Sequence, residues 1–397
     1  MRRRDLFRTI AIGAASRLAG DAQEVRPIGQ TEADQKRNAE LLSGYEYDKY
    51  TESLTGYAGQ DRQRVARVEY KPAVRTRVGP RGNYKAGIAR LPNGRLVVAT
   101  CRFNNATVPE KKNFDIHVYE SADAGFTWQE VGRSPLHGKE PSLTALPDGS
   151  LILTAQKGYF GPGAKLDEIP VSRSTDGGRT WTTKMLAGWD YPRNLILEPN
   201  GSLTMIRAVE PAWYGEKPGS PNILISRSKD GGENWNQEEG VIDWDYRAFG
   251  EISSLRLNDG TYLASLRRQS PGTRGEGFEE TMLTWSSDGG ARWSKPTLLS
   301  SIGEVHVHLL QLRNGQLLAS RSNYHLPFGV YAATGSSDGR RWDWSRPYEL
   351  ALSAGFNVGW PVTLELPDTL ITVYGATTYL NQSPNETTCE VVRWRLD

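Results

Sequence analysis

The sequence has few of the residues and segments that mark several large classes of protein. Among 397 residues there are two cysteines, four methionines and five histidines. Cys101 and Cys389 give neither a disulfide framework nor a zinc pattern, so we expect two buried thiols. They could pair only if the two ends of the chain meet. We expect neither a metal nor a cofactor.

Long apolar runs and an excess of one charge are also lacking. No run approaches the ~20 apolar residues that a bilayer requires, so we expect no membrane span. The 48 basic and 46 acidic residues nearly balance, which gives no reason to expect a nucleic-acid partner. The oligomeric state is left open.

The first 20 residues differ in composition from the rest of the chain. They read MRRRDLFRTIAIGAASRLAG, and paired arginines before a short apolar run are typical of a twin-arginine export signal. The alternative is a basic tail. Export predicts a periplasmic or secreted protein. Residues 21–69 are interpreted as an N-terminal extension with a short helix at 32–42.

Aromatic residues and one recurrent turn are, by contrast, abundant. The 12 tryptophans and 17 tyrosines suit β structure and also surfaces that face carbohydrate. Four turns read SADAGFTW, STDGGRTW, SKDGGENW and SSDGGARW, and a shortened fifth reads SSDGRRW; they begin at Ser121, Ser174, Ser228, Ser286 and Ser336. The intervals of 53, 54, 58 and 50 residues are right for one four-stranded propeller blade per copy. We interpret the turns as structural.

A second repeat lies between these turns and predicts the number of blades. Six stretches, such as YKAGIARLPNGRLVVAT and GEISSLRLNDGTYLASLRR, consist of an apolar strand, a tight turn and another apolar strand. Strands that are apolar on both faces are typical of sheets covered on both sides. The sequence therefore predicts an all-β, six-bladed β-propeller of four-stranded antiparallel blades over residues 70–397. Segments 65–70 and 389–394 are expected to pair and close the ring.

The pattern S-x-D-x-G-x-x-W resembles the Asp-box, or BNR repeat, of the sialidase (neuraminidase) superfamily. The resemblance covers about residues 70–397 and implies the sialidase-like propeller fold. It also implies a site in which three arginines hold a carboxylate, an Asp is the acid/base, and a Tyr–Glu pair is the nucleophile. Glu251 and Arg267, at the two ends of one inner hairpin, match the family's glutamate and one of its arginines.

Equivalent positions on the inner strands of a propeller converge on the central channel. Counting eight residues back from the Asn or Asp of each tight turn gives Lys85, Glu140, Pro192, Glu251, His306 and Trp360, and Tyr191 and Arg193 flank the proline. The ends of the second strands add Arg102, Lys157, Arg207, Arg267 and Arg321. Charged side chains are rarely buried together unless they bind something. The excess of cations predicts an anionic carbohydrate as substrate, although an ion-paired plug is the alternative.

Other positions depart from the sialidase pattern. Lys85 stands where the family has an arginine, and Glu110 lies near the position of the catalytic Asp. No arginine stands just before the fifth turn, and only Arg321 lies upstream. Trp360 occupies the position of the nucleophilic tyrosine, and an indole cannot attack an anomeric carbon.

These departures leave the reaction open between three functions. The first is an exported glycoside hydrolase that acts on an acidic or modified glycan, with Glu251 as nucleophile or base and Glu140 or Glu110 as acid. The second is a polysaccharide lyase that removes a proton beside a uronate carboxylate. The third is a non-catalytic glycan-binding propeller.

The lyase hypothesis needs a base, and three side chains are candidates. They are His306, His308 and Tyr191. The two histidines alternate along one strand, so only one of them can face the site, and each could instead be a structural hydrogen-bonding residue. Opposite faces also argue against a metal site that the two histidines would share with Glu251.

Overall fold

A computed structural model of the chain describes residues 73–103, 114–157, 168–187, 192–208, 222–244, 249–268, 280–300, 303–324, 328–353, 358–377 and 387–396. The regular structure within these ranges is entirely β, which confirms the all-β prediction. The export segment, the extension with its expected helix, and both Glu110 and Tyr191 lie outside the described residues. Within the described ranges, no helix is long and apolar enough to cross a membrane.

The strands follow one another in groups of four. The first three groups, of which the first two share β5, comprise β2 (Asn83–Arg90), β3 (Leu96–Phe103), β4 (Phe114–Ser121), β5 (Gln129–Ala145), β6 (Leu151–Lys157), β7 (Glu168–Ser174), β8 (Thr182–Ala187), β9 (Ile196–Leu197), β10 (Leu203–Ala208), β11 (Asn222–Ser228) and β12 (Asn236–Ile242). Each hairpin predicted from the sequence corresponds to the first two strands of a group.

The last three groups are built in the same way. They comprise β13 (Phe249–Arg256), β14 (Tyr262–Arg268), β15 (Glu280–Ser286), β17 (Thr297–Ser300), β18 (Glu304–Gln311), β19 (Leu317–Asn323), β20 (Gly329–Gly335), β21 (Tyr348–Leu352), β22 (Gly359–Glu365), β23 (Leu370–Thr377) and β24 (Thr387–Trp394). The short strands β1 (Val74–Arg77) and β16 (Arg292–Trp293) complete the set.

Hydrogen bonding divides these strands into five separate sheets rather than six. Three sheets have four antiparallel strands, as predicted. The first two groups merge into one seven-stranded sheet because β5 has 17 residues and pairs with β4 along its first half and β6 along its second. In the third group, β16 adds a fifth strand that runs parallel to β12.

The strand that pairs with the C-terminal strand is not the predicted one. Both edges of β24 are occupied, one by β23 and the other by β1, whose Val74 lies opposite Arg393. Segment 65–70 lies outside the described residues, and β1 occupies the edge of β24 at which that segment was expected to pair. The N-terminal strand of the last sheet therefore starts nine residues later than expected, at 74 rather than 65.

Apolar side chains fill the space between consecutive groups. Six clusters of buried residues do so. Five of them each lie between two groups that are consecutive in the chain, and the sixth lies between the last group and the first. In that last cluster, Ile88 and Val98 pack with Ile371 and Val391. Because each sheet is covered on both faces, its inner strands need apolar residues at consecutive positions, which explains the pattern in the sequence. Cys101 and Cys389 are free and buried.

The recurrent turns are closed hydrogen-bonded units. In the second copy, Ser174 Oγ donates to Asp176 at 2.8 Å and accepts the amide of Gly178 at 2.8 Å, and Trp181 Nε1 donates to the Gly178 carbonyl at 3.1 Å. The same Asp accepts the amide and the hydroxyl of Thr180 at 2.9 and 2.6 Å. These contacts lie within one turn, which fits the structural role expected from the sequence.

Candidate functional site

Five of the six positions found by counting have a backbone conformation that bulky residues rarely adopt. Their φ values are 46° at Lys85, 57° at Glu140, 47° at Glu251, 56° at His306 and 49° at Trp360. Each lies where the pairing of the two hairpin strands shifts register. A bulge of this kind re-aims a side chain, and a left-handed non-glycine residue costs about 1–2 kcal/mol. Strain repeated at equivalent positions indicates a functional site.

The sixth position differs because it is a proline. The ring of Pro192 fixes φ near −65°, so this residue cannot form the left-handed bulge. The backbone of its neighbour Arg193 is bonded to the groups of strands on both sides. The Arg193 amide donates to the carbonyl of Ile252 at 3.0 Å, and the Arg193 carbonyl accepts the hydroxyl of Ser142 at 2.6 Å. The guanidinium donates to the carbonyl of Pro361 at 3.3 Å, and the residue is 5% exposed.

The charged side chains at these positions pair with one another. Lys85 forms an ion pair with Glu140. Arg267, from the end of β14, places Nη1 2.9 Å from Glu251 Oε1. His306 Nε2 lies 3.2 Å from Glu251 Oε2 and 3.3 Å from Arg267 Nη1. The first ion pair joins the first two groups of strands, and the contacts among Glu251, Arg267 and His306 join the fourth group to the fifth.

Aromatic rings join the two ion pairs into one cluster. The Lys85 ammonium lies 3.4 Å from the centre of the Trp360 ring, and the His306 ring lies 3.9 Å from the same tryptophan. The hydroxyl of Tyr324 is 3.1 Å from His306 Nδ1. We call these residues the bulge cluster, which consists of Lys85, Glu140, Arg193, Glu251, Arg267, His306, Tyr324 and Trp360.

The environment moves the pKa values of the two buried carboxyl groups in opposite directions. Burial raises the pKa of Glu251 to about 8, against the lowering effect of Arg267. Burial also disfavours ionised Glu140, but the charge and hydrogen bond of Lys85 outweigh it and lower the pKa of that carboxyl. Burial, with Arg267 and other cations nearby, holds the pKa of His306 well below its usual value. Near neutral pH the site therefore holds one protonated carboxyl, one carboxylate and a neutral imidazole.

Three polar atoms of the bulge cluster have no hydrogen-bond partner among the described residues. They are Glu140 Oε2, Arg193 Nε and Trp360 Nε1, and all three are buried. An unpaired buried polar group costs about 1–3 kcal/mol, so native proteins rarely retain one without a reason. One acceptor and two donors in the same cluster are what a hydroxylated ligand would satisfy.

The other predicted arginines have their described contacts elsewhere. Both terminal nitrogens of Arg321 lie 2.5 Å from the carboxylate of Glu304. Arg102 contacts His117 Nδ1 at 3.2 Å, and Arg207 donates to a backbone carbonyl and a hydroxyl at 3.2 and 3.1 Å. Four of the residues predicted at second-strand ends have described side chains, and of these Arg267 is the one with a described contact in the bulge cluster.

The sequence did not single out Tyr324. This residue stands three positions after Arg321, at the end of the same second strand. Because the ends of the second strands were predicted to face the site, this position could have identified Tyr324 as a candidate. His308 accepts the amide of Thr363 through Nδ1 at 3.4 Å, whereas His306 lies in the bulge cluster. Among the described residues, no three His, Cys, Asp or Glu side chains are grouped so that they could hold a metal ion.

Comparison with known sequences finds sialidases. The chain is 26% identical over 217 residues to a sialidase of Micromonospora viridifaciens, which covers 46% of this chain and 33% of that protein. It is 22% identical over 294 residues to a sialidase of Bacteroides fragilis, covering 64% and 53%. The chain thus matches between one third and about half the length of these relatives. No family model matches.

Solved structures with the same fold include several glycosidases. A protein of unknown function from Dyadobacter fermentans has a TM-score of 0.63 at 17% identity, covering 82% of this chain and 100% of its own. A Streptococcus pneumoniae sialidase gives 0.58 at 14%, covering 84% and 72%. An α-L-arabinanase of Penicillium chrysogenum gives 0.56 at 16%, covering 81% and 98%. The chain is thus similar in sequence to sialidases, and it has the fold of these sialidase-like glycosidases.

Proposed function

We propose that the chain is a glycoside hydrolase built on a closed, six-bladed, sialidase-like propeller, with the recurrent turns as Asp-boxes. The six apolar clusters support this arrangement, since each group of strands packs against two others and the last packs against the first. In such a ring, the bulged ends of the inner strands meet at the axis. The bulge cluster is then the active site.

One observation carries the assignment: five strained bulges bring polar or aromatic side chains into a single cluster that contains two carboxyl groups with oppositely shifted pKa values. Glycoside hydrolysis needs one carboxyl group that protonates the leaving oxygen and another that attacks the anomeric carbon or activates water. Environments that separate two pKa values in this way assign the acid and the base.

The pKa directions favour roles that are the reverse of the sequence-based expectation. We infer that protonated Glu251 is the general acid and that ionised Glu140 is the nucleophile or general base. Burial keeps the proton on Glu251, whereas Lys85 keeps Glu140 charged. Glu110 stays a sequence-based candidate.

The cations support an anionic substrate. Arg193 and Arg267 are 5% and 6% exposed. Lys85 forms an ion pair with Glu140, and the charges of both arginines also lower the pKa of that carboxyl group. Arg193 retains an N–H without a described partner, which is available to a carboxylate of the sugar. We propose a glycan that carries a carboxylate, with Arg193 and Arg267 as its ligands and Trp360 as a wall of the pocket.

The test is a screen of the purified protein against acidic glycans and aryl glycosides, with product masses recorded. Hydrolysis adds one water across the cleaved bond, and this result is expected. An unsaturated product would show that the reaction is elimination and not hydrolysis. If glycans bind and stay intact, the protein is a glycan-binding propeller and the hydrolase proposal is wrong.

One contact favours the lyase as a second candidate. The hydroxyl of Tyr324 lies 3.1 Å from neutral His306. His306 could remove the proton beside a uronate carboxylate, and Tyr324 could protonate the leaving oxygen. The hydrolase takes precedence because this reaction leaves the two opposed carboxyl groups without a role.

We also propose that the chain is exported through its twin-arginine segment. The paired arginines and the apolar run after them support this proposal. Changing Arg3 and Arg4 together to lysine should leave the protein in the cytoplasm, as judged by cell fractionation. Unchanged export would show that the segment is not a twin-arginine signal.

A further inference from the structure

A chain of contacts leads from the edge of the bulge cluster to its buried acid. Tyr324 is partly exposed, and its hydroxyl lies 3.1 Å from His306 Nδ1. The opposite nitrogen of the same ring lies 3.2 Å from Glu251 Oε2. His306 and Glu251 are only 2% and 4% exposed, so solvent has little direct access to the carboxyl group.

We propose that Tyr324 and His306 form a proton relay that restores the proton of Glu251 after each turnover. This inference rests on the proposed glycosidase activity with Glu140 as general base, because with Glu140 as nucleophile the attacking water would itself return the proton to Glu251. After Glu251 has given its proton to the leaving oxygen, His306 passes its Nε2 proton to the carboxylate while its Nδ1 takes the proton of the Tyr324 hydroxyl, so the ring stays neutral throughout. The phenolate then takes a proton from solvent. His306 ends in its other tautomer, and a ring flip or proton exchange resets it.

The relay requires an imidazole that is neutral and fixed in orientation. Burial lowers the pKa of His306, and the charges of Arg267, Arg193 and Lys85 lower it further, so an imidazolium is disfavoured. The ring stacks on Trp360 at 3.9 Å, with 31° between the two planes, and its backbone is held left-handed at φ 56°. A neutral ring with one nitrogen toward a phenol and the other toward a carboxyl group can accept a proton at one side while donating at the other.

The experiment compares Tyr324→Phe with Tyr348→Phe on a glycan that the unaltered protein cleaves. Tyr348 lies on β21 of the same group of strands and packs against Trp394, outside the bulge cluster. Tyr324→Phe keeps the ring and removes the proton carrier. We expect kcat to fall by about 100-fold, the lower end of the range of proton-transfer effects, with KM unchanged. Added imidazole should restore part of the lost kcat, whereas Tyr348→Phe should behave like the unaltered protein.

The relay would be overturned by any of five results. Full activity of Tyr324→Phe, or a loss that imidazole does not restore, would leave Tyr324 a packing residue. Rescue by azide with formation of a glycosyl azide would make Tyr324 the nucleophile instead. An unsaturated product, or no cleavage by the unaltered protein, would overturn the proposed hydrolase and the relay together.

Discussion

The recurrent turns and the bulge cluster use the same left-handed backbone with different residues. In four of the turns the residue after the Asp is Gly177, Gly231, Gly289 or Gly339, with φ values of 73°, 69°, 78° and 72°. In the bulges the same region is occupied by lysine, glutamate, histidine and tryptophan. Glycine adopts this conformation without strain, whereas the others pay about 1–2 kcal/mol each. The chain relieves strain where only structure is needed and retains it where a side chain must be aimed.

The two regions also differ in how their polar groups are satisfied. Hydrogen bonds from Thr127 and Ser121 within its own turn lower the pKa of Asp123 to about 2. In the bulge cluster, burial raises the pKa of Glu251, and Glu140 Oε2 has no partner among the described residues. A closed network stabilises the fold, and an incomplete one is ready for a ligand.

The largest effect is expected for Glu140→Gln. The change removes the carboxylate that we assign to attack or base catalysis, so turnover should fall at least about 100-fold. It also leaves buried Lys85 without its partner, which should destabilise the fold by about 3 kcal/mol. Steady-state kinetics and urea unfolding measure the two effects.

Glu304→Gln is the matched control, because it also breaks a buried ion pair, that with Arg321, outside the bulge cluster. It should lower stability and leave turnover per folded molecule unchanged. Lost turnover in this control would place Arg321 in the site after all, as the sequence analysis expected.

A smaller effect is expected for Arg267→Lys. An ammonium cannot reproduce the two-pronged contact of a guanidinium with a carboxylate, and a charged hydrogen bond is worth about 1.5–3 kcal/mol. KM for an anionic glycan should therefore rise by roughly 10- to 100-fold, with a smaller change for a neutral aryl glycoside. Equal losses on both substrates would argue against Arg267 as the carboxylate ligand.

The two regions should also respond to pH with opposite sign. Activity should fall as pH rises through about 8, because Glu251 then loses the proton it donates. Its raised pKa also means that this group contributes stability at low pH, which is lost between about 4.3, the unfolded value, and about 8. The turn carboxyls, such as Asp123 with a pKa of about 2, contribute stability above about 3.9 that is lost as pH falls.

Urea midpoints of the unaltered protein and Glu251→Gln across pH 4 to 9 measure the first contribution, and a pH–rate profile measures the activity. The unaltered protein should lose more stability than Glu251→Gln as pH rises, because only the unaltered protein has the carboxyl group. If the two proteins lose stability in parallel up to pH 9, the pKa of Glu251 is not raised and its assignment as acid fails.

The smallest effect is expected for Ala124→Gly. Ala124, at φ 57°, is the one non-glycine at a left-handed position of the described recurrent turns. Glycine should relieve the strain and raise the free energy of unfolding by roughly 1 kcal/mol without a change in turnover. A loss of stability on urea unfolding would mean that packing of the alanine methyl outweighs the strain.

The sequence predicted much of the inner site because the hairpins repeat. Counting from the tight turns found Lys85, Glu140, Glu251, His306 and Trp360, since a fixed strand length places equivalent residues at equivalent heights. Their left-handed backbone could not be foreseen, because no glycine marks the positions and only the register shifts reveal them.

The second-strand ends were harder to predict. Arg102 and Arg321 have their described contacts with His117 and Glu304, which lie on β4 and β18, and these strands come beside those of the two arginines only in the folded sheets. Tyr324 was missed for the same reason: its contact with His306 depends on the register shift between β18 and β19, which changes the direction of the His306 side chain. Local sequence contains no record of that geometry.

The central claim is that the bulge cluster performs the chemistry and the turns maintain the fold. Comparing Glu251→Gln with Asp230→Asn for both turnover and urea midpoint tests it most directly. Asp230 is bonded within its own turn to Ser228 and Asn234, and Gln imitates the protonated carboxyl of Glu251. We predict that Glu251→Gln loses at least about 100-fold in turnover at a midpoint no lower than that of the unaltered protein, and that Asp230→Asn lowers the midpoint at unchanged turnover. Full turnover in Glu251→Gln, or lost turnover in folded Asp230→Asn, would contradict the claim.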